Sequence, residues 1–67
     1  MISYEPLWKT MKQKNVTTYT LRYKEHIGGG TLDRLKKNES VSSNTLDMLC
    51  RILDCELSDI AKYVPDK

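Results

Sequence analysis

Residues 16–38 read VTTYTLRYKEHIGGGTLDRLKKN, and this stretch decides the fold of the chain. Its first half predicts a short helix over residues 17–25, because Thr17 is a favourable N-cap and Leu21 is the central apolar residue. Its second half predicts another short helix over residues 29–37, in which two leucines recur at a helical spacing. The stretch therefore predicts two adjacent helices joined by a tight turn.

Three consecutive glycines, Gly28, Gly29 and Gly30, stand at the start of the second helix. A glycine has no side chain and costs up to about 1 kcal/mol in a helix interior, so the run needs a reason. We expect Gly28 to close the turn that contains Ile27. What the other two glycines do depends on what the second helix faces.

Three further helices are predicted outside this stretch. PLWKTMKQKN (6–15) begins with a proline suited to a first helical turn, and VSSNTLDMLCRILDC (41–55) has the apolar spacing of a helix with one buried face. Ser42 or Ser43 caps the second of these helices. A last short helix, LSDIAKYV (57–64), ends before a proline.

These five short helices predict an all-α fold, a compact five-helix bundle in a single domain over residues 1–67. Strand signals are weak, because no alternation of apolar and polar residues is sustained. Asn15 and Asn38 are expected to end helices in a left-handed conformation. The predicted core consists of the apolar residues on the helix faces: Leu7, Trp8, Met11, Val16, Leu21, Ile27, Leu32, Leu35, Leu46, Leu49, Cys50, Leu53, Leu57 and Ile60.

Charge is distributed unevenly along the chain, whose formal net charge is +2. Residues 1–37 contain eight basic and three acidic side chains, whereas residues 38–67 contain three basic and six acidic ones. Such a dipolar molecule favours a polyanion at its N-terminal half. The alternative is a solvated surface on which charges cluster by chance.

Ligands for a metal are scarce, since Cys50, Cys55 and His26 are the only cysteines and histidine. A zinc site requires four ligands at characteristic spacings, so we expect no metal or cofactor and two small core cysteines. The chain shows no nucleophile–base pair and no paired carboxylates. The glycine run is not a dinucleotide-binding motif, because no strand precedes it. We therefore expect no enzyme and find no small-molecule ligand indicated.

The first residues, MISYEPLWK, contain no apolar signal-peptide core, and no run approaches the length of a membrane-spanning helix. These features predict a soluble, cytoplasmic protein with reduced thiols and no membrane partner.

Two short helices with a tight turn have the dimensions of a helix-turn-helix. The second helix of that unit lies in the major groove of DNA, and the first crosses the phosphate backbone. Hydroxyls of Thr17 and Thr18 at the first helix can donate to a phosphate, and Lys36 and Lys37 can reach the flanking backbone. Adjacent helices also occur as pure packing, and a solvated face is the alternative for the lysines.

The whole chain resembles the Cro/C1-type helix-turn-helix domains of the XRE group of transcriptional regulators, in particular their minimal, single-domain bacterial members. The resemblance is carried by VTTYTLR (16–22), GGGTLDRLKKNE (28–39) and, most distinctively, VSSNTLDMLCRILDCELSDI (41–60). It implies a lambda-repressor-like DNA-binding domain built as a five-helix bundle. It also implies a sequence-specific, DNA-binding transcriptional regulator, a repressor, that inserts helix 29–37 in the major groove of double-stranded DNA.

Carried over by this resemblance, the base-reading places fall on Gly29, Gly30 and Arg34, with Thr31 and Asp33 nearby. Places that hold phosphates fall on Thr18, Lys37 and the start of the fourth helix. Combined with the residues of the turn and the motif helices, the expected DNA contacts are Thr17, Thr18, Gly28, Gly29, Gly30, Thr31, Asp33, Arg34, Lys36, Lys37, Ser43 and Asn44.

The sequence departs from the family where glycine replaces the side chains, usually Ser, Gln, Lys or Pro, at the first two base-reading places. Glycines let the backbone approach DNA closely, and base discrimination then rests on Arg34, through bidentate contact with guanine. The alternative is loose backbone in a chain without strong DNA affinity. We expect Asp33 to hold Lys37, which lies four residues further on.

Related regulators dimerise on palindromic sites, so we expect a homodimer whose contact residues are the apolar ones near the termini: Ile2, Tyr4, Tyr63 and Val64. These side chains equally well cap the core. The rival function is a protein-interaction module with a degenerate recognition helix, such as an antitoxin or anti-repressor that does not read DNA.

Overall fold

The computed structural model describes residues 1–66, which form four helices and a small sheet. In chain order the elements are β1 (Ile2–Ser3), α1 (Glu5–Gln13), a π-helix (Thr20–Lys24), α2 (Gly29–Lys36), α3 (Ser43–Leu53), a single 3-10 turn (Leu57–Asp59) and β2 (Lys62–Tyr63). The mostly helical class is thus confirmed, whereas the count of five helices and the absence of strands are wrong.

The fifth helix predicted over residues 57–64 does not form. Helical bonds end there after one turn, with the amides of Ile60 and Ala61 donating to the carbonyl of Leu57 at 2.9 and 3.1 Å. The chain then becomes extended and β2 pairs with β1 in antiparallel register, Ile2 opposite Tyr63. Backbone groups that a helix would have used internally are bonded to the N-terminal strand instead.

Left-handed residues end the helices, because they allow the chain to turn away from the helix axis. Asn15 and Asn38, both with φ of 58°, do so as predicted. After the π-helix, however, the left-handed residue is His26, with φ of 61°. Gly28 has φ of −61° and ψ of 148° and serves as the N-cap of α2, so the expectation that it closes the turn is wrong.

Side-chain caps begin two of the helices as the sequence predicts. The Oγ of Ser42 accepts the amide of Thr45 at 3.2 Å at the start of α3. The Oγ1 of Thr17 accepts the amide of Thr20 at 3.2 Å where the chain enters the π-helix. Each hydroxyl satisfies an amide that lacks a partner within its own helix.

The core contains ten buried apolar residues, and nine of them were predicted: Leu7, Met11, Leu21, Ile27, Leu32, Leu35, Leu49, Leu53 and Ile60. Trp8, Val16, Leu46 and Cys50 pack against this cluster while remaining partly exposed. Leu57 was predicted to be in the core, but 56% of it is exposed. The reason is local: it begins the 3-10 turn, which has no buried residue.

The tenth core residue is Tyr4, which is only 4% exposed. Its hydroxyl donates to the carbonyl of Glu39 at 3.0 Å, and its amide donates to the side chain of Asn38 at 2.9 Å. These bonds fasten the start of α1 to the segment that follows α2. The prediction that Tyr4 is an exposed dimer contact is therefore wrong, because its ring is buried and its hydroxyl is hydrogen-bonded within the chain.

Both cysteines are free thiols and partly buried. Burial, more than the neighbouring Cys50, raises the pKa of the Cys55 thiol, so Cys55 is neutral at physiological pH. Within residues 1–66 no three metal-ligating side chains come together, and no helix has the length and apolarity to cross a membrane.

Candidate nucleic-acid interface

Two buried leucines fix the orientation of α2. Leu32 is 5% exposed and Leu35 is fully buried, so one side of the helix faces the core. Residues spaced by four and three, Gly30, Arg34 and Lys37, lie on the opposite side and are exposed. The outward face of α2 is therefore a glycine followed by two basic side chains.

Open space surrounds two of the three glycines. A Cβ atom added to Gly28 or Gly30 would meet no heavy atom within 4 Å. None of the glycines has a positive φ, so the backbone conformation does not require glycine at any of them. The backbone at Gly28 and Gly30 is therefore open, and a partner molecule can approach it closely.

The one carboxylate on the outward side, that of Asp33, is neutralised by its own helix. Its Oδ2 lies 3.0 Å from the Nζ of Lys37, as the spacing of four residues predicts. A hydrogen bond from the ammonium to Asp33 raises the pKa of Lys37, as does the charge of that carboxylate. The pair reduces the repulsion that a free Asp33 would exert on a phosphate.

Arg34 and Lys36 are both exposed and keep their charges available. Among residues 1–66 neither lies within 4 Å of a carboxylate. By contrast, Arg51 on α3 is paired with Asp47 at 2.8 Å. The free cations of α2 can therefore engage an external anion without first breaking an ion pair.

The remaining predicted contact residues occupy two helix starts. Thr17 is exposed but its hydroxyl already caps the π-helix, whereas Thr18 is partly buried beside α2. Ser43 and Asn44 are exposed in the first turn of α3. Thr31 is partly buried on the flank of α2, away from the row formed by Gly30 and Arg34.

Three exposed residues on the π-helix and just before it were missed from the sequence. The rings of Tyr19 and Tyr23 lie 4.8 Å apart between centroids, and the Cζ of Arg22 lies 5.6 Å from the centroid of Tyr23. Spacings of three and four residues already place them on one helical face. This spacing is present in the sequence and could have identified the exposed face opposite the buried Leu21.

A shallow depression of about 340 Å³ joins this cluster to α2. Its walls combine residues from the π-helix region and from α2: Thr18, Tyr19, Arg22, Tyr23, Gly29, Leu32, Asp33 and Lys36. The two motif helices thus present one continuous surface of hydroxyls, guanidinium, ammonium and bare backbone.

Away from these helices in sequence, residues near the two chain termini form the two-stranded sheet. Ile2 is 47% exposed and Tyr63 is 66% exposed, while Val64 is partly buried. Beside the sheet lies a second, more apolar depression of about 480 Å³, with Val41, Leu46 and Leu57 among its walls. Of the predicted dimer contacts, Ile2 and Tyr63 are accessible and Tyr4 is not.

Comparison with known proteins agrees with this geometry. Residues 6–66 match the family model of the Cro/C1-type helix-turn-helix DNA-binding domain. A crystal structure of the transcriptional regulator VanUg is similar, with a TM-score of 0.88 and 32% sequence identity over 97% of this chain and 87% of that chain. No curated protein matches the sequence significantly. The chain therefore belongs to the Cro/C1-type helix-turn-helix DNA-binding domains, a family whose members generally act by binding rather than by catalysis.

Proposed function

We propose that this protein is a sequence-specific transcriptional repressor that inserts α2 into the major groove of double-stranded DNA. The observation that carries the proposal is the outward face of α2, where open backbone at Gly30 is followed by the exposed side chains of Arg34 and Lys37. A helix with no bulky side chain at its head can lie deep in the groove. A repressor role would follow if the bound site overlaps a promoter, where the domain competes with the polymerase for the same DNA.

Contacts to the phosphate backbone would flank the groove. Lys36 has no carboxylate within 4 Å among residues 1–66, and Thr18 lines the same depression. Ser43 and Asn44 offer hydroxyl, amide and backbone donors in the first turn of α3. Such contacts fix the position and register of the domain, while base contacts supply the sequence preference.

We further propose that the protein acts in the bacterial cytoplasm as a homodimer on a palindromic site. A single domain of this size covers roughly 600–1,000 Å² on DNA, which is too little for a tight site. Two copies with half-sites about 34–36 Å apart double the contact. Ile2 and Tyr63, paired across the exposed sheet, are the proposed dimer contacts, together with Val64.

The rival proposal, an antitoxin or anti-repressor that binds protein only, draws on a different surface. The apolar depression beside Leu57 and the sheet would then hold the partner, and α2 would be a solvated helix. Binding at such an apolar surface depends little on salt, whereas contact with phosphates depends on it steeply.

A salt titration tests the proposed function. Binding of a fluorescent duplex of mixed sequence is measured by anisotropy between about 50 and 200 mM salt. We expect log K to fall linearly with log salt at a slope of about −0.9 for each phosphate contacted. The double variant Lys36→Gln, Lys37→Gln should make the slope shallower by about 2, since each lysine accounts for about one contact.

The matched control removes the same charge elsewhere. Lys9→Gln with Arg51→Gln changes two exposed cations on α1 and α3, each paired with a glutamate or aspartate of its own helix. This control should retain the salt slope of the original protein. Equal slopes in both double variants would show that net charge alone attracts DNA, and a flat titration would favour the protein-interaction module.

A further inference from the structure

The head of α2 lacks side chains of its own, yet a guanidinium from the preceding helix lies against it. A Cβ atom added to Gly29 would clash with Nη1 of Arg22 and would lie 3.0 Å from its Cζ. At Gly28 and Gly30 the same atom would meet nothing within 4 Å. Of the three glycines, Gly29 is thus the one whose missing side chain makes room for another residue.

Arg22 is held in place without being neutralised. Its guanidinium lies over the ring of Tyr23, with Cζ at 5.6 Å from the centroid, and the Tyr19 ring is packed against Tyr23 with 4.8 Å between centroids. No carboxylate of residues 1–66 lies within 4 Å of it, and Asp33, which lines the same depression, is engaged by Lys37. Such a cation–π contact restrains the guanidinium and does not engage its N–H donors.

We infer that Arg22 is a specificity-determining residue, whose guanidinium supplies the base-contacting donors at the head of α2 that Gly29 itself lacks. This inference rests on the proposed insertion of α2 in the major groove. The chain then reads DNA with two guanidinium groups, Arg34 from within α2 and Arg22 from the helix before it. Each suits the paired acceptors on the major-groove edge of guanine.

The test uses a duplex that the original protein enriches from a random pool. Discrimination is measured as the Kd of the protein for a scrambled duplex divided by its Kd for the enriched duplex. Arg22→Ala should reduce this discrimination by about five- to 150-fold, the range expected for loss of one bidentate base contact. Arg22→Lys keeps the charge but not the planar fork, so it should restore overall affinity and not discrimination. If Arg22→Ala instead weakens binding of the selected and the scrambled duplex equally and leaves discrimination unchanged, Arg22 contacts phosphate and the inference is overturned.

A pair of glycine substitutions tests the geometry independently. Gly29→Ala displaces the guanidinium and should reduce discrimination, but it should add little to the loss already caused by Arg22→Ala. Gly30→Ala is the matched control, since its new methyl group meets no protein atom, and its effect should add to that of Arg22→Ala. Additive behaviour of Gly29→Ala with Arg22→Ala would contradict the contact.

The outcomes separate this inference from the proposed function. If Arg34→Ala impairs discrimination while Arg22→Ala does not, α2 reads DNA and the inference alone is wrong. If the protein enriches no sequence and binds duplex without salt dependence, both are wrong. Thermal unfolding followed by circular dichroism checks that the variants fold, as expected for an exposed arginine.

Discussion

Substitution of Leu35 by alanine is expected to lower the free energy of unfolding by about 2–5 kcal/mol. Leu35 is fully buried, so the change removes apolar contacts and leaves a cavity in the core. A domain of this size has a total stability of about 3–10 kcal/mol, so much of the protein would unfold. Urea unfolding followed by circular dichroism measures the effect.

The neighbouring residue supplies the control. Lys36→Ala changes an exposed side chain in the same turn of α2 and should alter stability by no more than about 0.5 kcal/mol. Because Leu32 and Leu35 are the buried residues of α2, loss of Leu35 should also release this helix and weaken DNA binding. A loss of stability below about 1 kcal/mol would contradict the description of the core, since Leu-to-Ala changes at fully buried sites cost more.

The second large effect is expected from Arg34→Ala, which should remove about 1–3 kcal/mol of discrimination between the preferred base pair and its competitors. Arg34 is exposed on the outward face of α2 and has no carboxylate within 4 Å among residues 1–66. Stability should change by no more than about 0.5 kcal/mol, because the side chain is exposed. Selection of binding sites from a random duplex pool, repeated with the variant, shows which position loses its preference.

Arg51→Ala is the control for this selection. It removes the same side chain from an exposed helix position, but one that is paired with Asp47 on α3. The selected sequence should match that of the original protein. An unchanged preference in Arg34→Ala itself would show that α2 does not read bases through this residue.

The helices could be predicted from the sequence because their determinants are local. Ser42 caps α3, and Asn15 and Asn38 take left-handed conformations, as their residue types and positions indicate. The ion pair between Asp33 and Lys37 follows from a spacing of four residues within one helix. Each of these features depends only on neighbours in the chain.

The features that could not be predicted depend on distant contacts. The strands have two residues each, too few for an alternating pattern, and the paired residues Ile2 and Tyr63 lie at opposite ends of the sequence. Tyr4 is buried for the same reason, since its partners Asn38 and Glu39 are far away in sequence.

In the candidate site, too, local features could be predicted from the sequence and long-range contacts could not. The exposed row of Gly30, Arg34 and Lys37 follows from helix periodicity and the leucines opposite. The placement of Arg22 against Gly29 depends on how the π-helix and α2 are packed together, and no local spacing encodes it. Of the three glycines, only Gly29 is explained by that contact, because a side chain there would clash with Arg22.

Methylation interference on a duplex selected by the protein tests most directly whether α2 occupies the major groove. Guanine N7 lies in the major groove and adenine N3 lies in the minor groove, so methylation of each blocks a different approach. The account predicts that N7-methylated guanines within the selected site prevent binding, whereas N3-methylated adenines there do not. Interference confined to adenine N3, or absent at every base of the site, would contradict it.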